Sequence, residues 1–197
     1  MEYNFFATIS RMKYIERWAL MRNSRPENLS EHSLEVAMIA HALCVIGNVR
    51  YGKNLNAENA ALIGLYHDSS EIITGDMPTP VKYYNPEIKD AYKQVEKIAE
   101  YKLLEKLPMD LRPAYEEILK SGINQEEKYM RKLVKAADKI SAYIKCIEEE
   151  KAGNTEFATA KRTIGEAIDK LKEECPEVDD FAKEFLPSYG KTLDELS

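Results

Sequence analysis

Apolar residues recur along this chain at intervals of three and four almost everywhere, and the strict alternation of a half-buried strand rarely appears. The pattern predicts an all-α fold. Phe5, Phe6, Ile9, Met12 and Ile15 form the first stripe, a helix over residues 4–15 ending near Arg17-Trp18. Ser30 is placed to cap a second helix carrying Leu34, Val36, Ala37, Met38, Ala40, Leu43 and Cys44, with Gly47 as its left-handed stop. Asn56 caps a third, AENAALIGLYHDSSEIIT, which Gly75 ends, and TGDMPTPVKYYNP then reads as a loop because its two closely spaced prolines prevent a regular continuation.

Residues 87–106 read as a long amphipathic helix stopped by Pro108, and a shorter helix covers about 110–119. Met130, Leu133, Val134, Ala137, Ile140, Ser141, Ile144 and Ile147 make the most regular stripe of all, expected to be the central core helix and to end near Gly153-Asn154. Helices over about 155–173 and 177–185 complete the pattern. No repeat or composition break interrupts it, so residues 1–197 are expected to form a single-domain helical bundle.

Composition narrows the function. With 44% hydrophobic and 31% charged residues in 197, the chain can bury roughly 70% of the surface it exposes when unfolded. The net charge of −6, without a basic block, argues against long nucleic acid as a partner but leaves room for one phosphate met by an Arg. Arg11, Lys13, Glu16 and Arg17 interrupt the N-terminal apolar cluster before a signal core can form, and no uninterrupted apolar run approaches the ~20 residues of a membrane span. Cys44, Cys146 and Cys175 are odd in number and lack a CxxC pair. The expectation is a soluble, reduced, cytoplasmic protein without a membrane partner.

The candidate chemistry gathers around two of the three histidines. His32 and His41 lie nine residues apart and point to opposite sides of one helix, so they cannot share a site. His41, among Met38, Ala42 and Val45, is expected to be structural, whereas His32 opens a helix directly after a polar loop. His67-Asp68 sits late in an otherwise apolar helix, with Glu71 one turn further on. Imidazole nitrogen and carboxylate oxygen together suit a divalent transition metal, and an ionised Asp on an apolar helix needs such a partner. Asp138 occupies the central stripe beside Val134, Ala137 and Ser141, where an unpaired Asp is rarely found. An ion pair with Lys135 or Lys139 is the simpler account of Asp138, a metal the one that explains all these placements together.

The ordered set His32, His67-Asp68 and Asp138 on a helical chain resembles the HD-domain metal-dependent phosphohydrolases. The stretches RWALMRNSRPENLSEHSLEVAMIAHAL, ALIGLYHDSSEIITGDMPTPVKYYNP and VKAADKISAYIKCIEE are similar, more narrowly, to the bacterial HD-domain 5′-deoxynucleotidases of the YfbR type. That resemblance implies metal ligation by His32, His67, Asp68 and Asp138, with Glu71 and Asp76 as catalytic acids. It implies substrate contacts from Arg17, which orients the phosphate, from Trp18, which selects a deoxyribose, from the Asp76-Met77-Pro78-Thr79 loop, and from His32, Asp68 and Asp138. It further implies a deoxynucleoside monophosphate substrate, a homodimer, and one divalent ion, Co²⁺, Mn²⁺ or Cu²⁺ before Fe²⁺ or Zn²⁺. Without the resemblance, Trp18 reads as core, Arg17 as a solvated residue, Asp76 and Thr79 as turn formers, and KYMRKLVK as a solvated face. The loop cations Arg17, Arg22, Arg25 and Lys82 suit a monophosphate better than the triphosphates, cyclic nucleotides or alarmones of other HD phosphohydrolases, and an intact ligand set argues against a non-catalytic binding module.

Overall fold

Helices dominate the computed structural model, which describes residues 2–82, 84–119 and 125–197 and, within them, every side chain except those of Thr79, Pro80 and Gln125. The first predicted helix is much shorter than its hydrophobic stripe. Helix α1 spans Phe5–Ile9, a 3₁₀ segment follows over Ser10–Tyr14, and Ile15 turns extended at φ −100°, ψ 110°. Strand β1 (Glu16–Arg17) then pairs antiparallel with β2 (Glu27–Asn28), setting Arg17 opposite Glu27. Helical periodicity loses here to pairing between residues ten apart, reinforced by the Leu29 N–H donating to Ile15 O.

Helix α2 (Leu29–Tyr51) starts from Asn28 and not from Ser30: the Asn28 carboxamide accepts from the Ser30 and Glu31 N–H groups, and Glu31 returns a bond to the Asn28 N–H. Its stop is Gly52 at φ +62°, one turn beyond Gly47. Gly47 is helical for a packing reason, because a Cβ there would lie 2.7 Å from the Glu177 carboxylate. By length and composition α2 is apolar enough to cross a membrane, and 56% of that stretch is buried within this fold.

Helix α3 (Ala57–Tyr66) is capped by Asn56 as its sequence predicts. The continuous helix expected to reach Thr74 is broken at residues 67–70 by turns in which Ser69 N–H bonds Tyr66 O and Glu71 N–H bonds Asp68 O; it resumes as α4 (Glu71–Thr74), which Gly75 ends at φ +73°. The expected loop contains a short helix, α5 (Thr79–Lys82), for Pro80 falls in its first turn, where the missing N–H costs nothing. Tyr83, in the same stretch, lies outside the described residues.

Helices α6 (Pro86–Leu104), α7 (Arg112–Leu119), α8 (Gln125–Lys151), α9 (Ala158–Glu174) and α10 (Pro176–Glu184) follow the predicted pattern within a few residues. The core lies between α2, α3 and α8, closed by α9 and α10; Leu43, Ala60, Leu133, Ile140, Ile144 and Val178 are among its buried members. A smaller cluster of Phe5, Leu103, Leu104 and Leu107 packs α1 against the end of α6. Gly64 of α3 meets α2 so closely that a Cβ would sit 2.8 Å from Ala37 Cα. Leu34 and Met38, grouped with the core positions by their spacing, are instead exposed together with Val45 and Val49 along one side of α2. The three cysteines are buried and unpaired.

Candidate active site

The α2–α3 contact at Gly64 brings His32 and His67 to ring centroids 5.3 Å apart. His32 is the fourth residue of α2 and fully buried. His67 and Asp68 sit where α3 ends, and Asp138 approaches from the middle of α8. His67 Nε2 lies 2.9 Å from Asp68 Oδ2, and His32 Nε2 lies 3.7 Å from the same oxygen and 3.2 Å from Asp138 Oδ1. Ligand atoms from His32, His67 and Asp68 all fall within 4.8 Å of one another. Asp138 joins the cluster through His32, and its second oxygen receives Lys139 at 3.3 Å, the ion pair that its sequence position allows.

The opposite edge of each imidazole is already engaged. His67 Nδ1 lies 2.7 Å from Gly64 O, which can only accept, so Nδ1 carries the hydrogen. The Ser141 hydroxyl donates to Glu35 at 2.6 Å and presents its lone pairs to His32 Nδ1 at 3.0 Å. Both Nε2 atoms are thereby directed inward, and neither has a hydrogen-bond partner despite being buried. Two buried nitrogens with unmet bonding capacity, facing two carboxylates, are what a divalent ion requires, and hydrogen bonds to the far nitrogens are what orient such ligands. The residues present therefore fit one metal ion. Ser141 and Glu35 were not expected as part of the site; the signal available was Ser141 three residues after Asp138 on a stripe otherwise apolar.

Arg17 and Trp18 approach from the β1–β2 hairpin. Glu27 Oε2 accepts from Arg17 Nη1 at 2.8 Å and from Trp18 Nε1 at 3.2 Å. Trp18 is the one non-glycine residue with positive φ among those described, at +58°, and its indole packs edge-on against Phe157 with centroids 5.3 Å apart. Its backbone N–H lowers the Asp76 carboxyl against the effect of burial. Asp76, Met77 and Pro78 are half-buried in the segment after α4; the backbone of Thr79 begins α5, and its side chain lies outside the described residues. Glu71 is buried, with Oε2 unpartnered. His41, expected to be structural, is exposed on the far side of α2 and lies outside the site.

Charge is unevenly distributed over these groups. Burial, reinforced by the Arg17 charge, lowers His32. Burial also opposes a charge on His67, but Asp68 and Asp138 outweigh it and raise His67 to about 9. Against the cost of burial, His67 holds Asp68 low, and the His32 imidazole together with the Lys139 charge holds Asp138 well below the ordinary carboxylate range. Glu71 goes the other way: burial and the neighbouring charges of Asp68 and Asp76 push it up to about 9. Asp76 is raised by burial, with Arg17 pulling against it. Arg17 interacts with Asp138, Asp68 and Asp76 as well as Glu27, which sets its guanidinium on the rim of the same cluster.

The other loop cations are committed elsewhere: Arg22 to Glu156, Arg25 to Glu31 and Lys82 to Glu96. A cavity of about 870 Å³ opens beside His67, Asp68 and Asp138, its far walls carrying Lys93, Lys97, Lys128 and Lys135. The KYMRKLVK run supplies part of that wall, with Lys128 and Lys135 exposed and Met130, Leu133 and Val134 buried behind them.

A family model for YfbR-like 5′-deoxynucleotidases matches residues 4–189. The 5′-deoxynucleotidase of Erwinia tasmaniensis is 50% identical over 194 residues, 98% of this chain and 96% of its own length. That of Vibrio parahaemolyticus is 50% identical over 196 residues, 100% and 99% of the two chains. Among solved structures, an HD-domain phosphohydrolase of Listeria innocua superposes with a TM-score of 0.80 at 25% identity, covering 94% of this chain and 88% of that one. The HD phosphohydrolase of cyanophage S-2L, solved with dA and one catalytic Zn²⁺ ion, shares the fold with a TM-score of 0.67 at 20% identity, covering 98% of this chain and 100% of its own. On a match that spans nearly its whole length, this chain belongs to the YfbR-like 5′-deoxynucleotidase family.

Proposed function

We propose that this chain acts, as a single helical domain, as a metal-dependent phosphomonoesterase that hydrolyses 2′-deoxynucleoside 5′-monophosphates to deoxynucleoside and phosphate. The observation that carries the reading is the pair of buried, unpartnered Nε2 atoms facing Asp68 and Asp138, with the Arg17 guanidinium on their rim. His32, His67, Asp68 and Asp138 would hold one divalent ion, Co²⁺, Mn²⁺ or Cu²⁺ in the first instance and Fe²⁺ or Zn²⁺ as further candidates. Such an ion supplies Lewis acidity toward a phosphoryl oxygen and a water acidic enough to attack at neutral pH.

The protein's own groups do the rest. Arg17 presents a fixed fork of donors that binds and orients the phosphate. Glu71, buried and pushed up to about 9 in the metal-free cluster, holds a proton at Oε2 for the departing 5′-oxygen. Asp76, held down by Arg17 against the effect of burial, is the second acid of the pair and fixes the Met77-Pro78-Thr79 segment against the nucleoside. Trp18 fills the space beside the sugar, where a 2′-hydroxyl would need a partner. The chain works in the cytoplasm as a homodimer. The exposed α2 stripe of Leu34, Met38, Val45 and Val49 supports that assembly, as an apolar row of this kind serves a partner better than solvent.

Phosphate release from deoxy- and ribonucleoside monophosphates, each assayed across a series of divalent metals, tests the reading. The expected result is release from the deoxy series, weaker release from the ribo series, and none after chelation. No release from any deoxynucleoside monophosphate with any metal would end it. A second reading, an HD phosphohydrolase for a larger nucleotide, is favoured by the lysine-walled cavity beside the metal ligands. Higher kcat/KM for deoxynucleoside triphosphates than for monophosphates would select it.

A further inference from the structure

We infer that Glu27 is the positioning residue that sets both the phosphate anchor and the sugar filter, through a single carboxylate oxygen shared by Arg17 and Trp18. The inference rests on the roles proposed above for those two side chains.

Neighbouring side chains on an extended strand point to opposite faces, so Arg17 and Trp18 could not meet one acceptor if β1 simply continued. They meet because Trp18 leaves the extended conformation for φ +58°, a region a bulky residue occupies only when its surroundings over-determine it. Three bonds do so. The Trp18 indole N–H donates to Glu27 Oε2 at 3.2 Å, and its carbonyl accepts from Met21 N at 2.8 Å and Asn23 Nδ2 at 3.2 Å. Of these, only the Glu27 bond fixes the direction of the ring. The same oxygen holds Arg17 Nη1 at 2.8 Å, and the β1–β2 register sets the two residues directly opposite. Side-chain exposures of 12% for Arg17 and 14% for Glu27 leave little water to compete. The guanidinium carbon lies 5.8 Å from the Trp18 ring, so anchor and filter form one packed unit with Glu27 as its hinge pin. Glu27 itself acts only through these two side chains.

Trp18 is the only tryptophan, so its emission reports this geometry without reference to activity. In E27A the emission should shift to the red. The ratio of kcat/KM for deoxy- over ribonucleoside monophosphates should fall by about tenfold or more, the scale of one lost charge-assisted hydrogen bond. E27Q, which keeps an acceptor oxygen at full reach, should restore the emission and most of the sugar ratio. Thermal melts establish that each variant is folded. If E27A does not fold, E27D carries the test, since its carboxylate falls one methylene short of both donors and should reproduce the same two changes. A folded E27A or E27D with unchanged emission and unchanged sugar ratio would overturn the inference. Failure of the wild-type protein to release phosphate from any nucleotide would instead overturn the proposed function, and the emission shift would still decide whether Glu27 fixes Trp18.

Discussion

A histidine binds a cation only through a nitrogen that carries no hydrogen, so the partner of the other nitrogen decides whether the site works. For His32 that partner is Ser141, whose single hydroxyl hydrogen goes to Glu35. Burial pushes Glu35 up to about 7 while the Ser141 bond pulls against it, the signature of a carboxylate retained in a poor environment for a specific contact. Ser141→Ala should weaken metal affinity by about 10–100-fold, read by calorimetric titration with Mn²⁺ or Co²⁺, with little change in melting temperature for the metal-free protein. Unchanged affinity would show that packing alone orients His32. Glu71 makes the opposite prediction: Glu71→Gln should keep metal affinity and lower kcat by about 10²–10⁴-fold, because an amide cannot pass on a proton. The residues with chemistry of their own, His32, His67, Asp68, Glu71 and Asp138, were legible in the sequence because each is costly where it stands. Ser141, Glu35 and Glu27 were not, since a polar side chain gains its meaning here only from a neighbour 106, 109 or ten residues away.

Helices were legible wherever burial on one face sets the pattern, as in α8, where Met130, Leu133, Val134, Ala137, Ile140, Ser141 and Ile144 are all buried. Their ends were legible only where a local side chain decides, as Asn56 does for α3. Periodicity failed at the two places that build the site. It ran a helix through residues 10–15, where hairpin pairing carries Arg17 and Trp18 away, and through 67–70, where the turn carrying His67 and Asp68 breaks α3 from α4. It also ended α2 at Gly47, because a glycine demanded by a distant carboxylate looks no different from one demanded by a left-handed cap. Gly64 is a case of the same kind. A methyl group at this position meets backbone atoms of Ala37 at 2.8 and 2.9 Å, which cannot swing aside as a side chain would. Gly64→Ala should therefore cost about 1–3 kcal/mol of stability by overpacking. It should also weaken metal binding, because α2 and α3 must separate and take His32 and His67 with them. A variant as stable as the parent would mean that the helices slide without loss.

Over the whole molecule, most of the acidic excess that argued against long nucleic acid faces solvent, Glu71, Glu149 and Glu177 being the buried exceptions among the described residues, and Glu149 shows what a buried carboxylate does far from the reacting groups. It sits on α8 about three turns beyond Asp138 and accepts from Lys145, from the Ser24 N–H at 2.8 Å and from Asn154 Nδ2 at 2.7 Å. Those contacts fasten the loop between β1 and β2 to the helix that carries Asp138, so the hairpin with Arg17 and the helix with Asp138 share one frame. Lys145 extends the frame by lying 5.5 Å from the Phe157 ring, against which Trp18 packs. Burial alone would raise Glu149, yet its donors hold it near 2, below the ordinary 4.5, so folding favours the ionised form. The stabilisation it contributes is therefore present above about pH 4.5 and is lost as the pH falls toward 2. Glu149→Gln leaves Lys145 buried without its counter-ion and should cost about 3–5 kcal/mol at neutral pH. Its denaturation midpoint should also change less than the parent's between pH 4.5 and 2, because the group that titrates there is gone. Parallel pH profiles for the two proteins would show that other carboxylates govern acid unfolding and that the hairpin is held to α8 by packing alone.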